Sequence, residues 1–130
     1  MELNHKNSTK KIKEVMDTPA ISLESTATAS DAAKIMETNK VKAVVVVDND
    51  KLVGIVTDRD YTIKIGSHAY PIDTPIGRLM SYPLISIDQD CSIPTALSVM
   101  KENNINKLPV TSNEKIAGMV SMGDLVATFQ

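Results

Sequence analysis

One cysteine, no tryptophan, one phenylalanine and three tyrosines in 130 residues close off several functions at once. A lone Cys91 cannot make an intramolecular disulfide or a thiolate metal cluster, so a reducing compartment, the cytoplasm, is the expected location. Aromatic residues at 3% leave no row of platforms on which single-stranded nucleic acid could stack. An excess of positive charge is missing as well: 14 basic residues face 16 acidic ones, for a formal net charge of −2. Neither nucleic acid nor an anionic membrane is therefore an expected partner. The longest aliphatic run, Ala43–Val47, is far short of a bilayer span, and the polar stretch Met1–Lys11 lacks the apolar core of a secretory signal. His5 and His68 have no Cys, His or acidic partner at ligand spacing, so no metal site is expected. Ser86 and Ser98 lack the glycine-flanked elbow of a hydrolase, and Cys91 has no basic neighbour to activate it. No catalytic residue is assigned.

What the chain does contain is a copy of itself. Moving from Ile12–Tyr61 to Ile76–Leu125, a constant offset of 64 with no gap, 14 of 50 aligned pairs are identical. They include Met16/Met80, Pro19/Pro83, Ile21/Ile85, Met36/Met100, Gly54/Gly118, Val56/Val120 and Asp60/Asp124. Average residue usage would produce about three such matches by chance. A unit this short cannot bury its apolar face alone, so the copies are expected to pack together and to bind between them whatever they bind. At 42% hydrophobic and 23% charged, the composition suits one compact domain with a continuous core.

Within each copy the hydrophobic period changes in the same order. Residues 1–11 carry no period and read as a flexible arm. A helix is expected where apolar residues fall at i, i+3, i+4 and i+7: Ala29, Ala32, Ala33, Met36 in the first copy and Ile93, Ala96, Leu97, Met100 in the second. Thr28 with Asp31 has the form of a capping box, and Ser92 followed by Pro94 also suits a helix start. The β-branched segments Ala43–Val47 and Leu108–Thr111 lead through Asp48-Asn49-Asp50 and Ser112-Asn113-Glu114 to Leu52–Thr57 and Ile116–Ser121, which reads as a pair of adjacent strands. A second helix starts near Asp58 and near Met122. Short extended pieces, Ile21–Leu23 and Ile85–Ile87, precede the first helices, and residues 66–75, with Pro71 and Pro75, read as the connector. The plan is α/β (α+β): residues 12–65, a linker at 66–75, then 76–130. The methionines read as core and interface filler.

The most specific local signal sits at the second strand-to-helix junction of each copy, Thr57-Asp58-Arg59-Asp60 and Ser121-Met122-Gly123-Asp124. A hydroxyl beside unpaired amides at a helix start can hold a phosphate, and a carboxylate one turn later can accept both hydroxyls of a ribose. The same spacing also describes a helix cap with no ligand. Gly54 and Gly118, three residues before each hydroxyl, permit close approach of a ligand or of neighbouring backbone.

Taken together, Val15-Met16, Leu79-Met80, Lys107-Leu108-Pro109-Val110, Val53-Gly54-Ile55-Val56-Thr57 with Asp60, and Ala117-Gly118-Met119-Val120-Ser121 with Asp124 resemble the cystathionine β-synthase (CBS) domain. The tandem arrangement is similar to a CBS pair, or Bateman module, over residues 12–129. The resemblance implies two motifs, each with a small sheet and two helices, packed about a pseudo-twofold axis that leaves two clefts for adenosine compounds: AMP, ADP, ATP or, in some members, S-adenosylmethionine. It implies that Asp60 and Asp124 accept ribose hydroxyls and that Thr57 and Ser121 bond sugar or phosphate. Leu84 and Ile85 would line the adenine pocket of the Asp60 site, and Ala20 and Ile21 that of the Asp124 site. Lys42 and Asn106-Lys107 would face phosphates. Val45 stands where the second copy has Pro109, and Arg59 pairs with Gly123, so the clefts should be unequal. Arg59 makes the Thr57/Asp60 junction the first candidate for a charged nucleotide.

The function so implied is a stand-alone, non-catalytic regulatory module, an energy or metabolite sensor for an unidentified partner protein. A homodimer formed through helices is implied too, with Met122–Phe129 and the Ala/Met stripes supplying apolar contact. Two other readings compete with it: a structural or interaction module with empty clefts, and a small hydrolase or transferase using Asp58 or Asp90 as general base.

Overall fold

The computed structural model describes residues 10–81 and 85–129. Of the arm read at residues 1–11, residues 1–9, with His5, lie outside them, as does the adenine-lining assignment of Leu84. The described chain forms two compact units, and their boundaries do not follow the copies in the sequence. The chain up to Ala20 packs with the chain from Ile85 onward, and the residues between make the other unit. Each unit joins the leading segment of one copy to the body of the other.

The unit formed by the intervening residues holds strand β1 (Ser22–Glu24), helix α1 (Ala29–Asn39), strands β2 (Ala43–Asp48) and β3 (Lys51–Thr57), and helix α2 (Asp58–Asp60). Helix α2 runs on as the π-helical segment Tyr61–Ser67, and a 3-10 turn follows at Ile76–Arg78. The other unit has a 3-10 turn at Ile12–Glu14, strand β4 (Ile87–Asp88), helix α3 (Ile93–Asn103), strands β5 (Lys107–Ser112) and β6 (Lys115–Ser121), and helix α4 (Met122–Ala127). Mixed α+β architecture, with a small sheet and two helices in each unit, is what the periodicity predicts.

The sheets have matching topology. β1 runs parallel to β2, which pairs antiparallel with β3; β4 runs parallel to β5, which pairs antiparallel with β6. The two hairpins turn through Asn49 and Asp50, and through Asn113 and Glu114, all with positive φ between 51° and 69°. Two consecutive left-handed residues give the turn whose twist matches that of paired strands. Val44 to Val47 are buried in succession, as expected of a strand covered on both faces.

Helix starts follow the expected capping chemistry. Thr28 Oγ1 accepts from the Asp31 amide at 3.1 Å while Asp31 Oδ2 accepts from the Thr28 amide at 3.3 Å. Ser92 Oγ accepts from the Thr95 amide at 3.2 Å. Both helices end on a left-handed residue, Lys40 and Asn104. The buried stripe of α1 is narrower than the spacing predicts, because Ala33 is exposed while Ala29 and Ala32 are fully buried and Ile35 and Met36 pack beside them.

The leading segments are held by backbone bonds that keep the 64-residue offset. Ile76 and Gly77 donate to Ala27 O and Ser25 O, and Ser81 donates to Ile55 O at 2.8 Å. In the other unit Ile12 and Lys13 donate to Cys91 O and Gln89 O, and Asp17 donates to Met119 O at 2.8 Å. The connector is also pinned, since the first amides of α1, Ala29 and Ser30, donate to Thr74 O and Ile72 O. Those carbonyls satisfy donors that a helix start otherwise leaves open. The apolar cores mirror this exchange: Ile76 and Leu79 complete the cluster of Ala29, Ala32, Val44, Val46 and Val56, and Ile12 completes that of Ile93, Met100, Leu108, Val110 and Leu125.

Candidate functional site

Each strand-to-helix junction is built the same way. Thr57 ends β3 and caps α2: its Oγ1 accepts from the Asp60 amide at 3.3 Å, and Asp60 Oδ2 accepts from the Thr57 amide at 2.8 Å. Ser121 ends β6 and caps α4, with the corresponding bonds to and from Asp124 both at 3.1 Å. The hydroxyl and carboxylate singled out by the repeat are therefore reciprocal caps in both units, worth about 1 kcal/mol each by the usual cost of losing one.

The register brings other expected residues to the same places. The Asp58 amide donates to Lys42 O at 3.0 Å, and Ala43 lies opposite Thr57 across the β2–β3 pair. The Met122 amide donates to Asn106 O at 2.8 Å, and Lys107 lies opposite Ser121. The structure thus assembles Lys42, Thr57 and Asp60 at one junction and Asn106, Lys107, Ser121 and Asp124 at the other. The side chains of Lys42, Arg59, Asn106 and Lys107 are exposed. Ala20 and Ile21 are half-buried, and Ile21 packs on the core of its unit, its carbonyl accepting from the Val45 amide at 2.9 Å. Ile85 likewise packs on the core of its own unit.

Gly54 and Gly118 owe their identity to the leading segments. A Cβ at Gly54 would run into the side chain of Met80, and one at Gly118 would come within 2.6 Å of Asp17 O and 2.8 Å of Met16 Sδ. Of the two readings open for these glycines, the described contacts match the approach of neighbouring chain.

Two residues at the Asp60 junction escape the sequence reading. Ser81 Oγ donates to Asp60 Oδ1 at 2.9 Å, and Lys64 Nζ lies 3.7 Å from the same oxygen while donating to Leu79 O and Met80 O. Asp60 is consequently only 7% exposed. The i, i+4 spacing of Asp60 and Lys64 is a signal for such a pair. Ser81 has no comparable mark, since its contact depends on the exchange of leading segments.

Beside this cluster the Tyr61 hydroxyl donates to Ala29 O. Burial pushes the phenol above the ordinary tyrosine value of 10.0, and the neighbouring Asp60 charge adds to the shift while an interaction with the Ala33 backbone opposes it. A phenol harder to ionise when folded contributes stability that is complete below its unfolded pKa and is lost as pH rises through the folded one. Urea midpoints measured between about pH 8 and 11.5 should therefore fall at the alkaline end, and Tyr61→Phe should flatten that fall.

Among the described residues no group of three His, Cys, Asp or Glu could hold a metal ion, and no helix is long and apolar enough to cross a membrane.

Comparison with known proteins adds four findings. The family model described as "CBS domain" matches residues 12–66 and again 76–130. The CBS domain-containing protein YhcV of Bacillus subtilis is 30% identical over 114 residues, covering 88% of this chain and 81% of that protein. Among solved structures, Hypoxic Response Protein I, crystallised with two coordinated zinc ions, superimposes with a TM-score of 0.83 at 28% identity, covering 91% of this chain and 98% of that one. The CBS domain pair of MJ0100, solved with 5′-methylthioadenosine and S-adenosyl-L-methionine, has a TM-score of 0.81 at 24% identity, covering 93% and 96%, a likeness of fold.

Proposed function

This chain belongs to the CBS-domain family, whose paired domains are regulatory in general, and from that premise we propose that it is a non-catalytic module binding adenosine nucleotides, AMP, ADP or ATP, to report energy or metabolite state to a partner protein. The observation that carries this reading is the repetition, in both units, of a hydroxyl and a carboxylate at a strand-to-helix junction with a basic or amide residue alongside. At Ser121 and Asp124 the parts suit the ligand: the carboxylate accepts ribose hydroxyls, the Ser121 hydroxyl bonds sugar or phosphate, and exposed Lys107 balances phosphate charge. At the other junction Asp60, Thr57, Arg59 and Lys42 take the corresponding parts. Ala20, Ile21, Leu84 and Ile85 supply adenine contacts in this reading. A nucleotide alters what a partner meets only in so far as it binds one conformation of the module better than another. The protein works in the cytoplasm as a homodimer.

Calorimetric titration with AMP, ATP and S-adenosylmethionine tests the proposal. Wild-type protein should bind at least one of them, and Asp124→Ala should weaken that binding about tenfold or more, the usual consequence of removing a charged hydrogen-bond acceptor. S-adenosylmethionine bound in preference to both nucleotides would keep the adenosine ligand and replace the energy-sensing role.

The reciprocal caps favour a second reading, an interaction module in which Thr57, Asp60, Ser121 and Asp124 only start helices. It predicts no heat from any of the three compounds and a stability loss of about 1 kcal/mol in Asp124→Ala.

A further inference from the structure

The two acids of the proposed nucleotide sites occupy equivalent positions, yet the chain treats them differently. Asp60 Oδ2 accepts from the Thr57 amide and hydroxyl, and Oδ1 accepts from Ser81 with Lys64 beside it. Asp124 Oδ2 accepts from the Ser121 amide, and its Oδ1 has no hydrogen-bond or ion-pair partner among the described residues. The difference traces to two substitutions across the repeat. Sixty-four residues from Ser81 stands Asp17, whose backbone pairs with Met119 as that of Ser81 pairs with Ile55, but which replaces the serine hydroxyl and makes no side-chain hydrogen bond to Asp124 among the described residues. Sixty-four residues from Lys64 stands Thr128, whose hydroxyl donates instead to Leu125 O at 2.7 Å. Neither reaches Asp124.

Resting on the adenosine reading, the geometry points to Ser81 and Lys64 as built-in competitors for the ribose at Asp60, so that one nucleotide binds per chain, at Asp124, before any binds at Asp60. The Ser81 hydroxyl fills the acceptor position that a ribose hydroxyl needs, and a ligand there must break that bond and displace the serine. The Lys64 ammonium stays with the carboxylate because it is also bonded to Leu79 O and Met80 O. This reverses the preference that Arg59 suggests, since Arg59 is exposed and joins no ion pair among the described residues, whereas the acid beside it is already occupied.

Titration of the full chain with AMP, ATP and S-adenosylmethionine, read for stoichiometry, tests this. Wild type should bind one equivalent, lost in Asp124→Ala and retained in Asp60→Asn. Ser81→Ala should expose a second equivalent or tighten one already present by about tenfold, the effect of removing a charge-assisted competing hydrogen bond. Two equal equivalents in wild type, loss of the tight equivalent in Asp60→Asn rather than Asp124→Ala, or a Ser81→Ala profile identical to wild type overturns the competition and leaves the adenosine reading standing. Absence of binding by both wild type and Ser81→Ala overturns the adenosine reading and this inference with it. A denaturation midpoint recorded for every variant separates lost binding from lost folding.

Discussion

Leu79→Ala should lower the stability of the chain by about 2–5 kcal/mol, the range for a large aliphatic side chain cut back in a packed core. Leu79 is fully buried with Ile76 against Val44, Val46 and Val56, although by sequence it opens the second copy and those valines belong to the first. The loss combines transfer of the side chain to water with the cavity left behind. Collapse of that cavity is opposed by the backbone bonds that anchor the segment at Ile76, Gly77 and Ser81. Against a total of about 5–15 kcal/mol for an ordinary domain, this is a large fraction. Val15, the equivalent residue in the other leading segment, is only half-buried, so Val15→Ala should cost clearly less. Urea denaturation of the two variants beside wild type provides the measurement. A Leu79→Ala midpoint close to that of wild type would show that the leading segment contributes nothing to the unit it completes.

That exchange of leading segments marks where the sequence stops being legible. The repeat, the helix caps at Thr28 and Ser92, the hairpins and the strand-to-helix junctions are all local in sequence, and local chemistry expresses them directly: a hydroxyl before a helix, an apolar run, a polar turn. Which body a leading segment joins is a matter of tertiary packing. The two copies are similar enough that Ile12 and Ile76, or Met16 and Met80, carry no mark of their partner. The same limit hid Ser81 from the candidate site, because its tie to Asp60 follows from Ser81 pairing with Ile55. Lys64 could be read from its spacing, and Ala33 shows the opposite error, a small residue at the edge of a helical stripe that periodicity alone places inside.

The glycines that precede the junctions carry the other large effect. Gly118→Ala and Gly54→Ala make the same chemical change at equivalent positions, yet the first should be the more damaging. At Gly118 the added methyl would meet Asp17 O at 2.6 Å, and that backbone accepts from the Met119 amide at 3.1 Å while the Asp17 amide donates to Met119 O. Relief requires the paired segment to move away from β6, weakening both bonds and lifting Met16 from the core it packs against. At Gly54 the closest atoms are Sδ and Cγ of Met80, which rotation about the side-chain bonds can move aside at the expense of repacking, leaving Met80 Cβ at 3.0 Å. Overpacking of this kind costs about 1–3 kcal/mol, with Gly118→Ala expected at or above the top of that range and Gly54→Ala toward its lower end. Thermal and urea unfolding of the two variants would rank them. Because Met119 leads through β6 to Ser121, the Gly118 variant should also disturb the Ser121/Asp124 junction, and amide exchange at Asp17, Met119 and Asp124 should speed up together. Equal destabilisation by the two alanines, with Asp17 still protected, would mean that the leading segment yields as readily as a side chain does.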